Sequence, residues 1–225
     1  GVCLNEGCIP SKALLHATKT VRHVREMVEA GVATGDVRVD PVGLNAFKDR
    51  TVASLVKGLH ELMKANKVKV LAGRGVLDGR GRIRVEAADG TDGEVRYESV
   101  IVATGSSPIE LPVLPVDGNR ILGSRQALKV AEPPASLCVV GGGVIWLELA
   151  TVYAGLGTAV TVVELTDQLL PGTDRDLVLV VAARLKKLGV QVMTDTRVTS
   201  CDRFGNAMSL VVEKKGTPSE VLAEQ

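Results

Sequence analysis

The stretch that decides the fold is residues 136–164, SLCVVGGGVIWLELATVYAGLGTAVTVVE. SLCVV reads as a buried strand that ends on three glycines. VIWLELATVYAGLG has helical spacing, and AVTVVE is a second strand. Working outward, DLVLVVAARLKKLG (176–189) reads as another helix and VQVMT (190–194) as another strand. This β-α-β-α-β order requires a parallel sheet with right-handed crossovers. Aromatic residues are 2% of the chain, and Val, Ala, Leu and Gly fill their place, which suits buried α/β strands.

The glycines and the acid at the end of the second strand carry the chemistry. Gly141 permits a tight turn, and Gly143 lets the backbone approach a pyrophosphate at the helix N-terminus. Gly142, Val144 and Ile145 complete that loop and the first helical turn. Glu164 lies 21 residues after Gly143. An acid there accepts hydrogen bonds from ribose hydroxyls and repels a 2′-phosphate, so NAD is expected rather than NADP. A simple βαβ turn with a surface glutamate is the bland alternative. The third glycine of a G-x-G-x-x-G loop is replaced by Trp146. Overpacking of that kind typically costs about 1–3 kcal/mol. Either this copy binds NAD poorly, or the local geometry adjusts, or the codon is misread.

The 225 residues suffice for one large or two small domains, and 45% of them are apolar, enough for a packed core. A formal net charge of +1 with interspersed signs argues against a nucleic-acid or membrane-surface partner. No apolar run approaches the ~18 residues of a membrane helix, and no signal-peptide pattern leads the chain. Four cysteines are too few for a secreted disulfide framework. A cytoplasmic location, or the interior of an organelle, is expected.

Residues 1–15, GVCLNEGCIPSKALL, place Cys3 and Cys8 five positions apart, ahead of a helix expected over 11–30. The positive end of that helix favours a thiolate at Cys8. The pair can act as a dithiol passing two electrons. Two unrelated thiols, or half of a zinc site, are the alternatives; zinc needs about four ligands, and no second Cys/His cluster is near. Cys138 and Cys201 read as buried small hydrophobes, and His16, His23 and His60 as helix-surface residues. A second helix is expected over 41–66. Strands are expected at KVKVLAG (67–73), RIRVEA (82–87) and EVRYESVIVATG (94–105), and a β-meander beyond Cys201. Residues 106–119, with three prolines, are the linker candidate, which puts a domain boundary near 112.

CLNEGCIPSKALL resembles the redox segment of the pyridine nucleotide–disulfide oxidoreductases, most of all the dihydrolipoyl dehydrogenases. The likeness continues through VATGS (102–106), residues 141–164 and LLPGTDRDL (169–177). It implies Rossmann-like, three-layer FAD- and NAD-binding α/β domains, with residues 1–112 in the first and 113–225 in the second. It implies Cys3 as the interchange thiol, Cys8 as the thiol facing the flavin, and Lys12 beside the flavin and paired with Glu148. A solvated helix lysine and a helix-surface acid are the bland readings of Lys12 and Glu148. The resemblance also implies FAD contacts at Gly73, Thr104, Gly105 and Ser106, and NAD adenine against Val198.

The family's partners would be a lipoyl domain of a 2-oxoacid dehydrogenase or glycine cleavage complex, and a second copy in a homodimer. In a eukaryote the location would be the mitochondrial matrix. The family's first glycine-rich βαβ unit, its A-x-G-D segment and its H-P-x-x-x-E acid–base pair do not occur in these residues. The chain therefore reads as an internal fragment with both domains incomplete, expected to hold FAD weakly and to be inactive alone. A related disulfide or metal-ion reductase, and a non-catalytic nucleotide-binding module, are the competing readings.

Overall fold

In a computed structural model the described residues are 1–79, 81–87, 89–90 and 92–225. They form two compact units, residues 1–52 with 107–225, and residues 53–106. The chain is of the α/β class.

The first unit opens with a short helix, α1 (Val2–Glu6), joined through Gly7 to α2 (Cys8–Glu29). The second helix starts earlier than the sequence suggests. Cys8 is its first residue and Pro10 sits in its first turn, where a missing N–H costs nothing because those amides have no helical acceptor. α3 runs over Pro41–Ala65, close to expectation, and from Ala53 onward it belongs to the second unit.

The second unit holds β1 (Arg74–Leu77), β2 (Arg82–Glu86) and β3 (Asp92–Arg96) in antiparallel order. The strand expected at 67–73 does not form, and the one expected at 94–105 stops at Arg96. Val70 is 62% exposed and Ile101 is 92% exposed. An alternating pattern becomes a strand only with a neighbour to take its N–H and C=O groups, and among the described residues neither stretch has one.

In the first unit a single turn of helix, α4 (Ser124–Ala127), precedes the decisive segment. β4 (Ser136–Val140), α5 (Val144–Leu156), β5 (Ala159–Val163), α6 (Arg175–Lys187) and β6 (Gln191–Met193) follow in the expected order. The sheet is parallel with order β4-β5-β6, and Cys138 pairs with Thr161 and Val162 with Val192. The meander is β7 (Thr196–Phe204), β8 (Ala207–Lys214) and β9 (Thr217–Ala223), antiparallel in sequence order. Its first strand begins before Cys201, earlier than the sequence suggests.

Two apolar clusters hold this unit together. In the larger, Leu14 of α2 meets Ala150, Val152 and Tyr153 of α5 and Val139, Val160 and Val162 of the sheet. Leu14 and Val152 are fully buried, and a side chain of that size removed from water contributes about 1.5–3 kcal/mol. The smaller joins Val163 to Met208, Leu210 and Val212 of the meander. Burial of α2 against α5 brings the N-terminal cysteines to the glycine-rich helix. Tyr153 adds a polar tie, its hydroxyl donating to the Ala127 carbonyl at 2.9 Å.

Candidate active site

α5 carries two groups of residues, one on its side and one at its N-terminus. On its side is Glu148. Lys12 donates to one carboxylate oxygen of Glu148 at 2.6 Å, and Ser11 donates to the other at 2.8 Å. The Ser11 hydroxyl also lies 3.1 Å from the Cys8 carbonyl oxygen, in the first turn of α2. Ser11 is buried, whereas the Lys12 side chain is 58% exposed. The hydrogen bond to Glu148 raises the Lys12 pKa, burial opposes it, and the charges of Glu148, Cys8 and Cys3 add to the rise.

Cys3 and Cys8 are exposed free thiols. A hydrogen bond shared with Cys8 pushes the Cys3 thiol above its ordinary value, and Lys12 pulls it the other way. Gly7 makes this proximity possible. A β-carbon there would stand 3.2 Å from the Val2 carbonyl oxygen and 3.3 Å from the Cys3 Cα. Glu6 is tied to Arg125 of α4 by an ion pair of 2.5 Å, which anchors the segment at its far side. Two neighbouring thiols near a cation can store and release two electrons as a disulfide and dithiol.

The second group is the glycine loop. Gly141 has a φ of 115°, a conformation that excludes ordinary side chains, and its N–H donates to Val163. Gly142 lies in a cradle where a β-carbon would meet Leu169 at 2.8 Å and Glu164 at 3.0 Å. Gly143 caps α5, and a β-carbon there meets nothing within 4 Å. Val144 and Ile145, the first two helical residues, are exposed. The mouth of the loop is therefore open where the helix N-terminus offers its amides to an anion.

Glu164 is buried below the loop. It accepts from the Gly142 N–H at 2.5 Å and from the Thr166 N–H and hydroxyl, both at 2.7 Å. Burial raises its pKa, but the bonds from Thr166, Gly142 and Leu165 outweigh that and hold the carboxyl below its usual range. Glu164 is held ionised at the end of β5, in the charge state that accepts a hydrogen bond from a ribose hydroxyl. The loop and its acid thus fit a dinucleotide, and the thiols with Lys12 fit the electron-accepting side of a flavin.

Trp146 resolves the packing question. Its indole turns beside Gly141, with Cδ1 3.0 Å from where a β-carbon on Gly141 would be. There it lines a cavity of about 430 Å³ with Leu137, Val139, Leu149 and Tyr153. The ring is accommodated in this space and packs on the larger apolar cluster. Cys138 and Cys201 line the same cavity. Burial pushes the Cys138 thiol up to about 12, so neither cysteine is set up as a nucleophile.

The structure brings Cys3, Cys8, Lys12 and Glu148 together, and Gly141, Gly142, Gly143 and Glu164 together. Val198 packs in the smaller cluster with Val140 and Val163, the last residues of β4 and β5. Gly73, Thr104, Gly105 and Ser106 fall in the second unit. A β-carbon on Gly73 would stand 2.8 Å from the Glu86 carbonyl oxygen, so its small size is already required by β2. Thr104–Ser106 is exposed and outside helix and strand. Ser11, Gly7 and Thr166 are the residues sequence reading missed. Ser11 and Gly7 sit inside the quoted cysteine motif, which was their one available signal.

The thiols and Lys12, on α1 and α2, meet Glu148 on α5, the helix that the glycine loop opens, and this combination fits a redox-active nucleotide-binding protein. The chain belongs to the pyridine nucleotide-disulphide oxidoreductase family, whose model matches residues 1–223. It is 39% identical over 220 residues to the dihydrolipoyl dehydrogenase of Vibrio cholerae serotype O1, covering 98% of this chain and 46% of that protein. It is 40% identical over 220 residues to the dihydrolipoyl dehydrogenase of Vibrio parahaemolyticus, with the same coverage. The crystal structure of LpdA from Mycobacterium tuberculosis superposes with a TM-score of 0.86 at 30% identity, covering 100% of this chain and 49% of that one. The chain thus spans about half the length of the relatives it matches.

Proposed function

We propose that this chain is the dithiol- and NAD-binding portion of a flavin-dependent dihydrolipoyl dehydrogenase, which oxidises protein-bound dihydrolipoamide and reduces NAD. The observation that carries the proposal is the 2.6 Å pair of Glu148 with Lys12, in the segment that carries the two free thiols of Cys3 and Cys8. The names of the relatives support the choice of substrate.

In this reading a dihydrolipoyl thiolate attacks the Cys3 sulfur of a Cys3–Cys8 disulfide. The S–S bond breaks and its electron pair leaves on Cys8. The second substrate thiolate then attacks the lipoyl sulfur of the mixed disulfide, closing the lipoyl ring and releasing Cys3. Two electrons pass from the substrate to the cysteine pair. Lys12 balances the charge left on the thiolates, and Glu148 with Ser11 holds Lys12 in place.

FAD and NAD, when bound, supply the onward electron-transfer chemistry. Lys12, Glu148, Gly73, Thr104, Gly105 and Ser106 would hold the first. Gly141, Gly142, Gly143, Val144, Ile145, Glu164 and Val198 would hold the second. Residues 1–112 would belong to the FAD domain and 113–225 to the NAD domain. The partners would be a lipoyl domain and a second subunit, in the cytoplasm or the mitochondrial matrix; among the described residues no helix is long and apolar enough to cross a membrane.

The test uses the Cys8→Ser chain and oxidised lipoamide. Iodoacetamide added at the quench caps the free lipoyl thiol before it can reclose the ring, so Cys3 should carry a capped lipoyl adduct detectable by mass spectrometry of its peptide. Glutathione disulfide should label it more slowly. Equal labelling by both, or no adduct at Cys3, would overturn the assignment.

A further inference from the structure

Where α2, α5 and α6 meet, a second cavity of about 270 Å³ opens on a face not used by the thiols or the glycine loop. Its floor is Leu15, Thr151, Gly155 and Leu188, and Thr18 crosses closely over Gly155, where a β-carbon would stand 3.2 Å from the Thr18 Cβ. Its walls carry Lys19 and Arg22 of α2 and Arg184 of α6, and no carboxylate lines it.

Two of these three cations are not spent on the protein. Lys19 and Arg184 have no ion pair or side-chain hydrogen bond among the described residues. Arg22 is partly engaged: its buried Nε faces the Glu26 carboxylate, which lies outside the cavity lining, at 3.6 Å, too long for a hydrogen bond. A buried donor without an acceptor is costly, and such a group in a native fold calls for a partner. The Thr18 and Thr151 hydroxyls donate to carbonyls of their own helices, at 3.0 Å to Leu14 and 2.7 Å to Leu147, so the remaining donors are the cationic ones. Cations beside apolar lining residues pull on an anion more strongly than in open water and favour one that is small and multiply charged.

We propose that this three-helix cavity is an anion site for a phosphate group, with the two guanidinium groups as forked donors and Lys19 as the third charge. It is separate from the redox reading and stands whether or not that reading holds.

The experiment is a calorimetric titration of the chain with inorganic phosphate and with pyrophosphate, both at ionic strength fixed with chloride. Phosphate should bind the parent chain, and Arg184→Gln and Lys19→Gln should each weaken it about tenfold, the loss of one charge-assisted contact. Both positions are exposed, so the variants should fold, and a matching far-ultraviolet circular dichroism spectrum confirms that. The Gly143→Asp chain, whose added acid repels anions from the nucleotide loop, isolates this cavity, and phosphate should still bind there. The proposal is overturned if phosphate gives no more heat than chloride, or if affinity survives both charge removals. Loss of binding in the Gly143→Asp variant would also overturn it, by assigning the anion to the glycine loop.

Discussion

At the scale of single residues, Ser11 joins the two halves of the dithiol site. Its hydroxyl sits between the Glu148 carboxylate and the Cys8 carbonyl, so it holds Glu148 against the turn that carries the thiol. Ser11→Ala should cost about 1.5–3 kcal/mol in urea unfolding, the usual loss when a hydrogen bond to a charged group is removed. With Ser11 gone both Glu148 oxygens can turn to Lys12, so the pH profile of Cys3 alkylation should move upward, and Ser11→Thr should restore it.

Glu164 makes a pH prediction. Its pKa is lower folded than its ordinary 4.5, so its contribution is complete above that value and is lost as pH falls through the folded pKa. Glu164→Gln should remove that part of the acid limb, seen as a flatter fall in melting temperature below about pH 4.5.

At the scale of elements, the turn from β4 into α5 concentrates the strain. Gly141 combines a φ of 115° with an indole 3.0 Å from where its β-carbon would be. Gly141→Ala should destabilise by about 1–3 kcal/mol, the cost of holding an ordinary residue in such a conformation. Trp146→Gly should also destabilise, by up to about 3 kcal/mol for a half-buried ring. The double variant should lose less than the sum, because removing the indole relieves its contact with the added methyl group but not the backbone strain. Chemical denaturation of the four proteins measures the coupling, and simple additivity would show that the ring and the turn are independent.

At the scale of the whole molecule, both apolar clusters lie in the unit made of residues 1–52 and 107–225. The unit of residues 53–106 has a three-stranded sheet with largely exposed strands, and residues 98–106 are exposed and irregular. Amide exchange should therefore be slowest in β4, β5 and α5 and fast across residues 67–72 and 98–110. A protease at low dose should cut first within 98–110, leaving the parallel sheet and meander intact. Cleavage within β4 or α5 at the same dose would contradict this distribution of stability.

The order of strands and helices from Ser136 onward was legible because the periods of 2 and 3.6 change at glycines, and a buried parallel sheet demands continuous apolar strands. The cysteine pair, Lys12, the glycine loop and Glu164 were legible because their chemistry is local, set by residue types at short spacings. The strands misread at 67–73 and beyond Arg96 show the limit, since pairing depends on a neighbour that no local pattern contains. The meeting of Ser11 and Lys12 with Glu148, more than 130 positions away, was decided by the burial of α2 on α5. So was the fate of Trp146. The sequence by itself determined which elements form and which groups can do redox and nucleotide chemistry; tertiary packing alone decided which of those groups touch, because long-range contacts follow from where apolar faces are buried.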